Sequence, residues 1–164
     1  MFKNITLYRI ASGLPFDAHT NAALGQDFDF VPCGATQEKS VGWVPPRGHE
    51  NGALLESVAG QWILKLMVES KAVPADVIKR KVAEQVAQIE TSTGRKPGKK
   101  ERREIMDDAR LALLPMAFTK QAATLVWIDP VANLLAIDSA SQGKLDEVVS
   151  ALVKSINGLS LQMI

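Results

Sequence analysis

The sequence predicts an α+β fold: a mostly antiparallel sheet with covering helices and a protruding basic helical hairpin. Three observations carry this expectation. Short apolar runs of strand character come in turn-linked pairs, Leu54–Val58 with Gln61–Glu69 and Thr124–Ile128 with Leu134–Ile137. Two stretches of helical periodicity lie between those pairs, and the positive charge is concentrated on them. With 164 residues, 46% of them hydrophobic, the chain can bury one core. We therefore expect a single α+β domain over residues 1–164, with 72–119 as a protruding helical-hairpin tip subdomain.

Asn4–Ile10 alternates Ile5 and Leu7 with Thr6 and Tyr8, the period of a strand. Asp17–Leu24 predicts a short helix closed by Gly25, and Phe28–Val31 and Val41–Val44 are brief strand candidates. Ala59–Gly60 joins the arms of the first β-hairpin, whose second arm is apolar on both faces and so belongs inside the sheet. Pro74 suits the first position of a helix, with Asp76 near the positive end of its dipole. Ile78, Val82, Val86 and Ile89 then repeat at helical spacing until Gly94. After the breaker Gly94–Gly98, a second helix carries Ile105, Ala109, Ala112 and Met116 on one stripe and bends or ends at Pro115. The second β-hairpin turns through Asp129–Asn133. Ser139 with Gln142 predicts a capping box, and Leu145, Val148, Val149, Leu152, Val153 and Ile156 form the buried stripe of a last helix.

Net charge is +1, yet it is unevenly spread. Between Lys71 and Lys120 lie 12 of the 19 Lys and Arg but only 7 of the 18 Asp and Glu, so a basic segment is set in an acidic body. Its densest part is Arg95, Lys96, Lys99, Lys100, Arg102 and Arg103. A solvated helix end, neutralised by pairs such as Arg103 with Asp107, is the plain explanation of such a run. Against it, Arg95, Lys96, Lys99 and Lys100 precede the acids and have no partner at helical spacing, which leaves them free for phosphates. No aromatic residue lies between Val68 and Pro115, so the stacking platform of a single-strand binder is missing, and duplex backbone contact fits better. No row of Asn or Gln reads bases, which points to sequence-independent binding.

Other chemistry has little support. Apolar runs fall well short of the roughly 20 residues of a membrane span, and Lys3 breaks any leader, so a cytoplasmic location is expected. The single cysteine, Cys33, makes no internal disulfide and reads as structural. His19 and His49 have no metal-spaced partner, and there is no HExxH, Walker loop, GxGxxG or GxSxG. Asp129 and Asp138 are the only candidates for a Mg²⁺-dependent nuclease, but both suit turns or caps. The expectation is no enzyme, no catalytic residue, no metal and no cofactor. Phe118 is either a core residue or an aromatic anchor inserted into a partner subunit.

Five strings in order carry a resemblance: Phe30-Val31-Pro32-Cys33-Gly34, Gly42-Trp43-Val44-Pro45-Pro46, Pro74–Lys79, Leu113-Leu114-Pro115-Met116-Ala117-Phe118 and Trp127-Ile128-Asp129. Together they resemble the N-terminal half of the RdgC family, the Gly-Trp-Val-Pro-Pro string most specifically, as a rigid strand exit. The resemblance implies an α+β protein of the cytoplasm and nucleoid that binds double-stranded DNA without marked sequence preference. It also implies a homodimeric ring around the duplex that limits access of RecA recombinase to DNA. The C-terminal half that contributes to ring closure is absent from this chain, and the position of Met116 is usually basic in the family.

The expected phosphate contacts are Lys79, Arg80, Arg95, Lys96, Lys99, Lys100, Arg102, Arg103 and Arg110. The expected dimer contacts are Leu114, Pro115 and Phe118. The competing readings are a protein-interaction module docking on an acidic recombination partner, and a Mg²⁺-dependent nuclease.

Overall fold

A computed structural model describes residues 2–11, 24 and 27–164 of the chain. The elements in order are β1 (Ile5–Ile10), β2 (Lys39–Val44), β3 (Glu56–Val58), β4 (Gln61–Lys71), α1 (Ala75–Thr93), α2 (Lys99–Leu113), a 3-10 turn (Leu114–Met116), β5 (Thr119–Asp129), β6 (Leu134–Asp138), α3 (Gln142–Ser155) and β7 (Leu161–Met163). The strands form one sheet in the order β2-β4-β5-β6-β1-β7, with β3 paired to β4. The pairs β1–β6, β1–β7, β3–β4 and β5–β6 are antiparallel, and the α+β class follows. The helix expected over 17–24, with His19, lies outside the described residues except for Leu24, which is buried.

The chain divides into two compact units. One comprises residues 1–31, 41–68 and 121–164, the other residues 32–40 and 69–120. In the first unit the strand period decides which side chains go inward. Thr6 faces Ile137 and Tyr8 faces Leu135 across β1–β6, so Tyr8 and Ile10 enter the core while Ile5, Leu7 and Arg9 stay exposed on the other face. Leu64 and Leu66 of β4, Val126 and Ile128 of β5, and Leu145, Val148 and Leu152 of α3 complete the same cluster. Each such aliphatic side chain contributes about 1.5–3 kcal/mol when fully buried.

Turn chemistry sets the register. Ala59 and Gly60 both have positive φ (50° and 80°), as a two-residue hairpin turn matching strand twist requires. Between β5 and β6, Asp129 Oδ1 accepts the backbone N–H groups of Val131 and Ala132, and Asn133 takes the left-handed conformation at φ 53°.

Several expectations are corrected. Phe28–Val31 is not a strand: Asp29 makes only an isolated parallel bridge to Trp43. The first hairpin arm begins at Glu56, two residues late, and β5 begins at Thr119, five residues early. Pro74 is the residue before α1 (ψ 137°) rather than its first position. The capping box does not form. Ser141 is the N-cap without a side-chain bond, Ser139 Oγ accepts the N–H of Ser141, and the Gln142 amide donates to Asp146 instead. Strand β7, which pairs Met163 with Tyr8, is additional to the expected elements.

The Gly-Trp-Val-Pro-Pro string does more than end a strand. Trp43 is 1% exposed and its indole N–H donates to Ser155 Oγ at 2.8 Å. Phe30 N–H donates to the Trp43 carbonyl at 2.9 Å and Trp43 N–H to the Phe28 carbonyl at 2.8 Å. This brings Phe30 so close to Gly42 that an added Cβ would lie 2.4 Å from the Phe30 Cα. Gly42→Ala is therefore expected to destabilise the protein by about 1–3 kcal/mol, the usual range for overpacking, read as a lowered urea midpoint.

Asp138 Oδ1 accepts the backbone N–H groups of Lys3 (2.7 Å) and Asn4 (2.9 Å), and these bonds hold its carboxyl below the usual aspartate range. A carboxyl depressed in the folded state stabilises above its unfolded pKa, and that contribution fades as pH falls through the folded value. The difference in urea midpoint between the wild type and Asp138→Asn should thus be full at neutral pH and shrink below pH ~4. A constant difference down to pH ~2 contradicts this role.

Candidate nucleic-acid interface

The second unit contains α1, α2 and the connector 94–98. Gly94 closes α1 in the left-handed conformation at φ 69°, its N–H donating to the Glu90 carbonyl at 2.9 Å. The hydroxyls of Thr91 and Thr93 bond back to the carbonyls of Ala87 and Ile89, so the polar last turn of α1 is internally satisfied. Pro97 is buried, and Gly98, with extended backbone, opens α2 and accepts the Arg102 N–H at 2.9 Å.

This reversal gathers six of the expected phosphate contacts. Arg95 and Lys96 sit in the connector, and Lys99, Lys100, Arg102 and Arg103 in the first turns of α2, all six exposed. Lys79 and Arg80, near the start of α1, and Arg110, in the last turn of α2, are exposed too. They belong to the opposite end of the hairpin: the fifteen helical steps from Lys79 to Gly94 span about 22 Å. The nine residues thus form two groups rather than one.

Ion pairing is also uneven. Arg95, expected to be free, makes a bidentate contact with Glu101 (2.9 and 3.3 Å), which holds the Glu101 carboxyl below its ordinary range. That partner has no helical spacing to mark it in the sequence: it lies six residues away across the connector. Lys100 also has a partner, Glu104 four residues on, but at 4.0 Å with both side chains well exposed; such pairs are worth little. Arg103 does not pair with Asp107. Among the described residues Lys96, Lys99, Arg102 and Arg103 have no carboxylate partner.

Lys99 and Lys100 occupy the first turn of α2, where only Glu101 is acidic. The helix dipole presents positive charge there, so each lysine opposes helix stability by about 0.3–1 kcal/mol. The same positive end favours an incoming anion, although Glu101 already accepts the Gly98 N–H there.

Beyond α2 the expected dimer contacts separate. Phe118 is 94% exposed and so is no core residue; Pro115 is exposed as well. Leu114 is 1% exposed, leaving no side-chain surface for a partner. Met116, expected on the packed stripe, is 72% exposed, and Ala112 is exposed, so the buried stripe is Ile105, Ala109 and Leu114.

The possible nuclease carboxylates do not converge. Asp129 lies opposite Leu134 and Asp138 opposite Ile5, at the two ends of β6, about 13 Å apart at strand rise. Each is engaged with backbone N–H groups. Among the described residues no three His, Cys, Asp or Glu side chains are placed to hold a metal. Cys33 N–H donates to Glu69 Oε1 at 2.8 Å, and burial and the Glu69 charge push its thiol up, away from the nucleophilic thiolate. No described helix is long and apolar enough to cross a membrane.

The sequence matches, over residues 1–164, the family model described as "Putative exonuclease, RdgC". It is 40% identical over 161 residues to the recombination-associated protein RdgC of Janthinobacterium sp. (strain Marseille), covering 98% of this chain and 53% of that protein. It is 39% identical over 160 residues to the protein of that name from Herminiimonas arsenicoxydans, with the same coverage, and 35% identical over 158 residues to that from Tolumonas auensis, covering 96% of this chain and 52% of that protein. The chain spans about half the length of these curated relatives. With a family match along its whole length, this chain belongs to the RdgC family.

Proposed function

We propose that the chain binds double-stranded DNA without sequence preference through the cationic end of its α1–α2 hairpin, as a non-enzymatic recombination protein. The observation that carries this reading is the group Lys96, Lys99, Arg102 and Arg103: exposed, without carboxylate partners among the described residues, and gathered at the start of α2. Cations placed against the helix dipole are a local cost that a bound phosphate reverses in sign. Lys100 adds to this group, while Arg95 contributes less because Glu101 already holds its guanidinium. Lys79, Arg80 and Arg110 form a second phosphate-contacting group along the hairpin. Residues 72–119 then serve as the DNA-engaging subdomain of one α+β domain.

The relatives are named for recombination, and DNA bound this way is shielded from RecA recombinase, on the nucleoid within the cytoplasm. Phe118, with Pro115 beside it, is the dimer contact: an aromatic ring held almost wholly in water is the kind of side chain that anchors a partner.

Filter binding of a duplex across a salt series tests the DNA reading. Four neutralised phosphates give a slope of log K against log salt near −3.6, about −0.9 for each. Changing Lys96, Lys99, Arg102 and Arg103 to Glu should flatten the slope and abolish binding at moderate salt, whereas Arg95→Ala should cost less than Lys99→Ala. A salt-independent wild-type affinity rejects the proposal. For the dimer contact, light scattering should show Phe118→Asp shifted to monomer with an unchanged circular dichroism spectrum; an unaltered mass rules out the assignment.

A further inference from the structure

A groove of ≈450 Å³ runs along the hairpin between α1 and α2, and phosphate binding does not explain it. Ile78, Val82 and Val86 repeat at i, i+4 and i+8 along α1, and Ala83 and Ala87 form the adjoining stripe. Met106 of α2, 41% exposed, lines the groove from the other helix. Val82 and Val86, which repeat at helical spacing with Ile78, are half-exposed on this face. From Ile78 to Glu90 the groove spans twelve helical steps, about 18 Å, or a little over three turns of a helix lying along it. Lys79 and Arg102 stand at its margins without ion-pair partners among the described residues, against the single acid Glu90.

We propose that this groove docks an amphipathic α-helix of a partner protein, with apolar residues at i, i+3, i+4 and i+7 toward Val82, Val86 and Met106 and acidic residues flanking them. The small side chains Ala83 and Ala87 leave room for a second helix to approach closely, and its acidic flanks meet Lys79 and Arg102. A DNA duplex has no apolar ridge to offer such a surface. The two modes share the cations Lys79 and Arg102 but only the helix uses the apolar floor, so substitutions at Val86 and Ala87 separate them.

The test is fluorescence anisotropy of the full chain with a labelled helical peptide of about 14 residues, leucine at those spacings and glutamate on the flanks. A lysine-flanked version serves as the control. The glutamate peptide is expected to bind at least about tenfold more tightly, with the difference narrowing at high salt. Ala87→Trp, at an exposed position, fills the groove and should weaken peptide binding at least tenfold, roughly, while helix content and duplex DNA affinity stay unchanged. Val86→Asp, checked for folding by circular dichroism, should do the same. Equal binding of the two peptides, no binding of either, or insensitivity to both substitutions overturns the proposal. So does self-association of the wild type that Ala87→Trp abolishes, since the occupant would then be a second copy of this chain.

Discussion

The core of the first unit depends on one close contact, that of the Phe30 backbone with Gly42 beside the buried Trp43. The indole needs a partner for its N–H once it leaves water, and Ser155 of α3 supplies it. The strand that carries the indole must lie against residues 28–30, which donate to and accept from its backbone at 2.9 and 2.8 Å. Only a residue without a Cβ permits that approach. Three segments far apart in the chain are thereby tied together: 28–30, β2 and the last turn of α3. Tyr8, Leu64, Val126, Leu135 and Leu152 fill the same cluster around them.

The second unit is held by different means. Its helices bury few side chains outright, chiefly Ile78, Ile105, Ala109 and Leu114, and its reversal rests on a left-handed glycine and a buried proline. A thin helix–helix seam leaves apolar and charged groups on show that a larger core would have used. This unit accordingly carries the surfaces suited to partners: the cation group at the start of α2, the groove beside Val86 and the exposed ring of Phe118. Glu101 has a double role. It is the one acid that favours the first turn of α2, and it withdraws Arg95 from the cations available to phosphate.

Legibility from sequence follows the range of the interaction that decides each feature. The two β-hairpins, α1 and α3 stand out because side-chain period and turn residues are local, as at Ala59–Gly60 and Gly94. Strand β7 leaves no trace, since three residues show no period and its place is set by pairing with β1 more than 150 positions earlier. Ser139 and Gln142 have the spacing of a capping box, but the helix starts at Gln142 with Ser141 as its N-cap, and a cap two residues out of place makes other bonds. Leu114 and Phe118 are equally apolar on paper; burial of one and exposure of the other depends on where α2 breaks at the 3-10 turn.

By itself, then, the sequence determined the α+β class, the paired strands, the two central helices and the clustering of six cations around the connector between them. These follow from neighbours within a few residues, where backbone preference and spacing act. Tertiary structure alone decided that Arg95 is paired, since it finds Glu101 only once the chain has turned, and which apolar side chains stay outside, since burial depends on what packs opposite. It also separated Asp129 from Asp138 along β6, and left the face of Val82 and Val86 as an open groove rather than a filled seam.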